Sequence, residues 1–359
     1  ALRVLYVQED VADTVVSMLK GAMDELNVGD PWDISTDVGP VIDTPSRSRI
    51  LNHIRDAEEQ GRLMHRISCP ESGTFVAPVL ISVDSILDLG EEIFGPVLHV
   101  AMFAADQIDQ VIADINQTGY GLTFGLHTRI DDRVQHLVDN IEAGNIYVNR
   151  NQIGAIVGSQ PFGGEGLSGT GPKAGGPNYL PRFTGTTEPA DGDTADVAFS
   201  LGMDEVQKRI DEASREFHPK RYDRQDLPGP TGESNTLSRF PRGVVLCFGP
   251  SQRDLELQTE IANEYGCNPV LCCSNQNGFQ ASLDPSELSR LTGFDAVLCF
   301  SNVQYLRKLR IALAGKDGPI LPLLTGPETA WMLLQERHVC VDTTASGGNT
   351  SLLAAQFEG

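Results

Sequence analysis

Short apolar runs alternate with apolar stripes at helical spacing along most of this chain, and that alternation predicts an α/β protein. Leu2–Val7 reads as a first strand. After it, Val11, Val15, Leu19, Met23 and Leu26 form a helical stripe with Asp10 placed as its N-cap. A second helix opens at Thr44-Pro45, carries Ile50, Ile54 and Ala57 toward the core, and ends at Gly61. A third starts near Asp106 with Ile108, Val111, Ile112 and Ile115. A fourth carries Val134, Leu137, Val138 and Ile141, stops at Gly144, and feeds a strand at Ile146–Val148.

The pattern then breaks. Residues 186–203 are acidic, rich in small residues and without period, which reads as a linker. A short polar helix is expected over Asp204–Phe217, followed by a Pro/Gly-rich stretch. From Gly243 the alternation resumes: strand Val244–Phe248, helix Leu255–Tyr265, strand Pro269–Cys273, helix Pro285–Leu291, strand Ala296–Phe300, helix Val303–Leu313, and strands Pro319–Leu324 and His338–Asp342. Such a series predicts a parallel, doubly wound sheet. No G-x-G-x-x-G opens a helix there, so a working dinucleotide site is not expected in this second part. The segment around Val148 (E-A-G-N-I-Y-V-N) faintly echoes that around Val341 (E-R-H-V-C-V-D-T), through common descent or through chance.

Eight of the nineteen residues from Gly158 to Gly176 are glycine. Ordering such a stretch is costly in chain entropy, so it points to a backbone that must pass close to a ligand. Charge narrows the classes of partner. The chain carries a net −22, with 25 acids against 12 bases through residue 185 and 24 against 15 beyond it. Both parts repel phosphate backbones and acidic lipid, so neither nucleic acid nor membrane is an expected partner of this region. No apolar run has the length of a membrane span. The seven cysteines (Cys69, Cys247, Cys267, Cys272, Cys273, Cys299, Cys340) have no metal-type spacing and fit buried free thiols in a reducing cytoplasm. No metal site is expected. Adjacent Cys272 and Cys273 read as structural thiols, and His338 as a structural histidine.

Four landmarks occur in order: T-D-V-G-P-V-I (Thr36–Ile42), G-T-F-V-A-P-V-L (Gly73–Leu80), E-E-I-F-G-P-V-L (Glu91–Leu98) and Q-P-F-G-G (Gln160–Gly164). With Y-G-L-T-F-G-L (Tyr120–Leu126) they resemble the catalytic domain of the aldehyde dehydrogenase superfamily. Q-P-F-G-G-E-G-L-S-G-T-G-P-K-A-G-G-P-N-Y-L and G-P-T-G-E-S-N-T-L (Gly229–Leu237) narrow the resemblance to the proline utilization A family, as does the ending T-A-S-G-G-N-T-S-L-L. That family joins a proline dehydrogenase to an L-glutamate γ-semialdehyde (pyrroline-5-carboxylate) dehydrogenase. The resemblance implies a partial catalytic domain over 1–185, a linker over 186–236, and a Rossmann-like, aldehyde dehydrogenase-related, non-catalytic α/β domain over 237–359. It also implies bacterial proline catabolism.

The implied reaction is NAD+-dependent oxidation of the semialdehyde to L-glutamate. A thiolate adds to the aldehyde, hydride leaves for NAD+, and water hydrolyses the thioester. The family's nucleophilic cysteine lies in a G-Q-R-C-S-A-L-R type segment, so it is expected just upstream of Ala1, and no catalytic residue is expected within the chain. The base, the oxyanion-hole Asn and the cofactor domain are likewise expected in the upstream remainder, and the chain by itself is expected to be inactive. FAD would belong to the proline dehydrogenase part. By resemblance Glu92 accepts from the nicotinamide ribose hydroxyls and Phe94 packs by the nicotinamide end. Gly154 and Ala155 match the loop whose N–H groups bind the substrate carboxylate, and Phe162 matches the aromatic against its aliphatic part. Gly163, Gly164, Lys173, Gly175 and Gly176 read as loop scaffold, and Asn149 and Arg150 stay open between site and scaffold. A homo-oligomer is implied, paired through arms near Pro181–Thr186. The alternatives are a general aldehyde dehydrogenase and, for 186–359, a non-catalytic lid or assembly module.

Overall fold

The computed structural model describes residues 2–184, 202–276 and 279–344. The chain divides into two compact units, Ala1–Gly119 and Tyr120–Gly359. Most of the acidic linker and the T-A-S-G-G-N-T-S-L-L ending lie outside the described residues.

The first unit runs β1 (Val4–Gln8), α1 (Glu9–Asp24), α2 (Thr44–Glu59), β2 (Leu63–Arg66), β3 (Val79–Ser82), β4 (Val97–Phe103) and α3 (Ile108–Gln117). Its sheet has the order β1-β4-β3-β2, with β1, β4 and β3 parallel and β2 antiparallel at the edge. Alternating side chains serve both faces. Val7, Leu80 and Val100 pack with Ala12 and Val16 of α1, whereas Val79, Ile81 and Val97 pack with Ile50, Ile54 and Ala57 of α2. Helices α1 and α2 begin earlier than the sequence suggests. Asp10 is not the cap of α1 but stands in its first turn beside Glu9, where both complement the helix dipole. Asp43 rather than Thr44 caps α2, accepting from the Ser46 N–H at 2.8 Å, and Pro45 sits in the first turn.

The second unit opens with β5 (Tyr120–Gly121), β6 (Thr123–Leu126), α4 (Asp131–Asn140), β7 (Asn145–Val148) and β8 (Glu165–Gly166). It continues with α5 (Met203–Glu216), β9 (Asp223–Leu227), β10 (Glu233–Pro241), β11 (Val244–Cys247), α6 (Gln252–Glu264) and β12 (Asn268–Leu271). The β13 (Cys273–Gln276) and β14 (Phe279–Ser282) hairpin, β15 (Ala296–Leu298), α7 (Val303–Ala314), β16 (Leu323–Leu324) and β17 (Leu334–Asp342) complete it. Strands β12-β11-β15-β16 form the expected parallel sheet. One face carries Val244, Leu246 and Val297 against α5 and α7. The other carries Val245, Cys247 and Leu298 against α6. Val206 and Ile210 of α5 are fully buried in the first of these layers, so this helix is part of the core although its overall composition is polar.

Three expectations need adjustment. Pro319–Leu324 pairs only at Leu323–Leu324, because Pro319 and Pro322 have no N–H to give a ladder. Pro285–Arg290 is a 3-10 turn capped by Asp284 rather than an α-helix. His338–Asp342 does not extend the parallel sheet. As part of β17 it enters a second sheet of order β6-β7-β17-β10-β9, parallel to β7 and antiparallel to β10. The two echoing segments are therefore neighbours, with Val339, Cys340 and Val341 opposite Ile146, Tyr147 and Val148. Where β11 turns into α6, the buried Gln258 side chain accepts from Gly249 N–H at 3.0 Å and donates to its carbonyl at 2.8 Å. The backbone amide that a phosphate loop would present is committed to a side chain.

Gly144, immediately before β7, meets the glycine-rich segment so closely that an added Cβ would lie 2.1 Å from the Gly163 carbonyl oxygen. Gly21 in α1 has nothing within 4 Å of such an atom. Gly144→Ala is expected to destabilise the fold by about 2–4 kcal/mol. Gly21→Ala is expected to stabilise it by about 0.5–1 kcal/mol. Urea unfolding of the two variants beside the parent chain checks both.

Candidate active site

Glu92 and Phe94 stand in the irregular segment leading into β4. Ile93 and Val97 of the same E-E-I-F-G-P-V stretch pack into the α2-side core. With its neighbours anchored, the run turns Glu92 and Phe94 outward, and Phe94 is 73% exposed. An exposed carboxylate with two free acceptors suits vicinal hydroxyls, and an exposed aromatic suits a planar or apolar ligand surface. Glu92 and Phe94 belong to the first unit; Gly154, Ala155 and Phe162 belong to the second.

The loop after β7 has unusual backbone geometry. Asn149 is the one non-glycine residue with positive φ, at 58°, among the described residues. Its side-chain oxygen accepts from Thr128 N–H at 2.9 Å, which fixes the bend locally. Gly154 has φ of 77°, a conformation an L side chain rarely adopts. Around it Ala155 is exposed and so are Ile153, Ile156 and Val157, an apolar lip with exposed backbone between. Phe162 is half-buried and exchanges two backbone hydrogen bonds with Ala174, at 3.0 and 2.8 Å, closing the glycine-rich segment on itself.

The scaffold beneath this loop is a polar network that sequence patterning did not reveal. Lys173 is buried. Its ammonium donates to the Gly163 carbonyl and to Asn145 Oδ1, and Asn145 also donates to the Pro161 carbonyl at 2.8 Å. Burial lowers the Lys173 pKa to about 8, against the opposing pull of Glu165 and Glu336. Glu165 receives a two-pronged pair from Arg337, at 2.6 and 3.0 Å, and the Arg337 guanidinium lies over the Phe240 ring. Glu336 accepts from Lys173 N–H at 2.9 Å and from the Asn178 amide at 2.6 Å. Arg150 donates to Glu233 Oε2 at 2.9 Å, and Gln160 donates to Glu233 Oε1 at 2.7 Å. Burial pushes the Glu233 pKa up. Hydrogen bonds from Asn235 and Gln160 and the Arg150 charge outweigh it, so the group stays below the usual carboxylate range.

Arg150, open between site and scaffold on sequence grounds, is thus a scaffold residue paired across the sheet. Lys173 holds the loop, as its glycine-rich context suggested. Glu233 lies inside the G-P-T-G-E-S-N-T-L motif, but a motif does not show which distant residues an acid meets. Cys340 touches Arg150, at 3.1 Å from Nη1 to Sγ, an environment that could suggest an activated thiol. Burial dominates and pushes its pKa to about 11, so it is not a thiolate at neutral pH. Cys247, Cys267, Cys272 and Cys299 are buried as well. Among the described residues no group of three or more His, Cys, Asp or Glu is arranged for a metal, and no helix is long and apolar enough to cross a membrane.

The ordered motifs and this fold find their counterpart in known proteins. The chain belongs to the aldehyde dehydrogenase family, whose profile matches residues 1–188. It is 37% identical to the bifunctional protein PutA of Klebsiella aerogenes over an alignment of 398 positions, gaps included, that covers 97% of this chain and 30% of that protein. A 1-pyrroline-5-carboxylate dehydrogenase of Geobacillus sp. (strain WCH70) is 42% identical over 177 residues, 48% of this chain and 34% of that protein. A crystal structure of Bradyrhizobium japonicum proline utilization A (PutA) has 53% identity and a TM-score of 0.50, covering 51% of this chain and 19% of that one. The resemblance is to the C-terminal aldehyde dehydrogenase part of PutA proteins, and the chain spans 30% of the length of the Klebsiella relative.

His338, opposite Asn145 in β17, is fully buried, with the Ser159 backbone beside its ring. Burial, and then the Lys173 charge, lower its pKa to about 4. The unfolded chain binds this proton near pH 6.5 and the folded one only near 4, so stability present above pH 6.5 is lost as the pH falls through that window. The loss is expected to be about 3 kcal/mol. Urea unfolding between pH 7 and 4 checks it: His338→Gln, whatever its absolute stability, should lose about 3 kcal/mol less across that interval than the parent.

Proposed function

We propose that this chain is part of an NAD+-dependent L-glutamate γ-semialdehyde dehydrogenase acting in proline catabolism. The observation that carries the reading is the loop Asn151–Ser159: a positive-φ glycine and a small neighbour present exposed backbone within an apolar lip, on a buried polar scaffold. Such a loop suits a substrate with a carboxylate at one end and an aliphatic chain behind it. The similarity to PutA proteins and to 1-pyrroline-5-carboxylate dehydrogenases supports the same substrate.

In this reading Gly154 and Ala155 offer N–H groups to the substrate carboxylate. Phe162 packs against the aliphatic carbons and limits water beside them. Glu92 and Phe94 hold the nicotinamide half of NAD+, with Glu92 accepting from the ribose hydroxyls. Bound NAD+ supplies the two-electron acceptor for aldehyde oxidation. The nucleophilic cysteine is assigned to residues outside this chain, because the described cysteines are either buried or, in Cys69, half-buried in the polar loop I-S-C-P-E-S-G. We place the catalytic domain at 1–185 and a non-catalytic module, which supports the loop, at 203–359. The boundary expected at 237 moves back because α5 packs into the core of that part and β9 and β10 pair in its sheet, which leaves 186–202 as the linker. A cytoplasmic homo-oligomer with FAD in a separate proline dehydrogenase part completes the proposal.

NADH formation by the full-length protein, with the semialdehyde and with propanal, tests the activity. Turnover of the semialdehyde is expected; turnover of propanal alone would assign a general aldehyde dehydrogenase instead. Phe162→Ala is expected to raise KM for the semialdehyde about tenfold or more through lost apolar contact. Glu92→Gln should raise KM for NAD+ by about tenfold, the loss of one charge-assisted hydrogen bond. The reverse pattern in steady-state kinetics would contradict both assignments.

A further inference from the structure

The loop Asn151–Ser159 has little core to hold it. Ile153, Ile156 and Val157 are exposed, and Gly154 is conformationally permissive, so the loop's shape depends on what fixes its two ends. Those ends are Arg150 and Gln160, and both reach the same carboxylate. Glu233 Oε2 accepts from Arg150 Nη1, and Glu233 Oε1 accepts from Gln160 Nε2. Asn235, two residues along β10, donates to Oε1 at 2.8 Å and keeps that carboxylate in place. The Arg150 and Glu233 side chains are only 17% and 16% exposed, so the pair is shielded from solvent screening.

The clamp reaches the loop backbone through Gln160. Its Oε1 accepts from Ile156 N–H at 3.2 Å while its Nε2 donates to Glu233, and its own N–H donates to the Ile156 carbonyl at 2.8 Å. The amide of Gln160 therefore has one orientation that serves both partners. Turning it to suit a different group at 233 would set its NH2 against the Ile156 N–H. Ile156 directly follows Ala155, so a disturbance at Glu233 is transmitted to the N–H groups proposed to meet the substrate carboxylate.

We propose that Glu233, from strand β10 of the C-terminal part, is a positioning residue that sets the specificity of the Gly154–Ala155 loop for an aldehyde carrying a carboxylate. This rests on the proposed semialdehyde dehydrogenase reading. Glu233 itself touches no substrate; it acts through Arg150 and Gln160.

The test uses the full-length enzyme and Glu233→Gln, which keeps the shape but replaces one acceptor with a donor. The ratio of kcat/KM for the semialdehyde to kcat/KM for propanal is expected to fall about tenfold, through KM for the semialdehyde rather than kcat. Amide hydrogen exchange in residues 151–160 is expected to quicken by about tenfold or more. Equal losses with both aldehydes, or an unchanged ratio, would overturn the specificity role. Unchanged exchange in 151–160 would overturn the clamp itself, and that readout holds whichever aldehyde the parent enzyme prefers. Absence of semialdehyde turnover by the parent enzyme, with exchange quickened in the variant, would sink the substrate reading and the specificity role but leave the clamp standing. If Glu233→Gln does not fold, Gln160→Met is expected to show the same fall and the same exchange, since it leaves the Arg150–Glu233 pair intact.

Discussion

The parallel pairing of β17 with β7 is the constraint on which the second unit depends. It joins residues almost two hundred positions apart in one sheet, His338 opposite Asn145 and Val341 opposite Val148. Because β10 pairs on the far side of β17, the same sheet brings Glu233, Glu336 and Arg337 to the glycine-rich segment. That segment has little apolar surface of its own. It is ordered by charged and polar groups supplied from the end of the chain.

Glycine and charge serve one purpose there. Gly144 lets the β7 backbone approach the Gly163 carbonyl, and the buried Lys173 ammonium fills the space between and satisfies Gly163 and Asn145. Burying that ammonium is costly, as its pKa of about 8 shows, and nearby Glu165 and Glu336 offset part of the cost. Glu165 in turn is tied to Arg337. A network of this kind tolerates removal of a member poorly, because each loss strands a buried partner. It gives the loop a fixed shape without a hydrophobic core beneath it, which suits a site where backbone must remain available to a ligand.

Much of the architecture was legible from period alone. Ile50, Ile54 and Ala57 did face a core, and β11, β12, β15 and β16 did form a parallel sheet with helices on both faces. The starts of α1 and α2 were misplaced by one or two residues, because Asp10 stands inside the first turn of α1 and Asp43, not Thr44, caps α2. The destination of His338–Asp342 was not legible. Its apolar pattern fits either sheet equally well, and pairing to β7 is a long-range choice that local spacing does not encode. The E-A-G-N-I-Y-V-N echo pointed to both members of that pair without indicating that they touch. For the site, Glu92, Phe94, Gly154, Ala155 and Phe162 came from motif resemblance. Glu233, Gln160 and Arg337 were invisible because their meaning lies in partners far along the chain.

The central claim is that the C-terminal strand orders the glycine-rich segment. Hydrogen exchange on the intact enzyme carrying Glu336→Ala with Arg337→Ala tests it most directly. The account predicts that amides across residues 158–178, Phe162 and Ala174 included, lose protection by about tenfold or more while β1 and β4 keep theirs. Unchanged protection across 158–178 would contradict it.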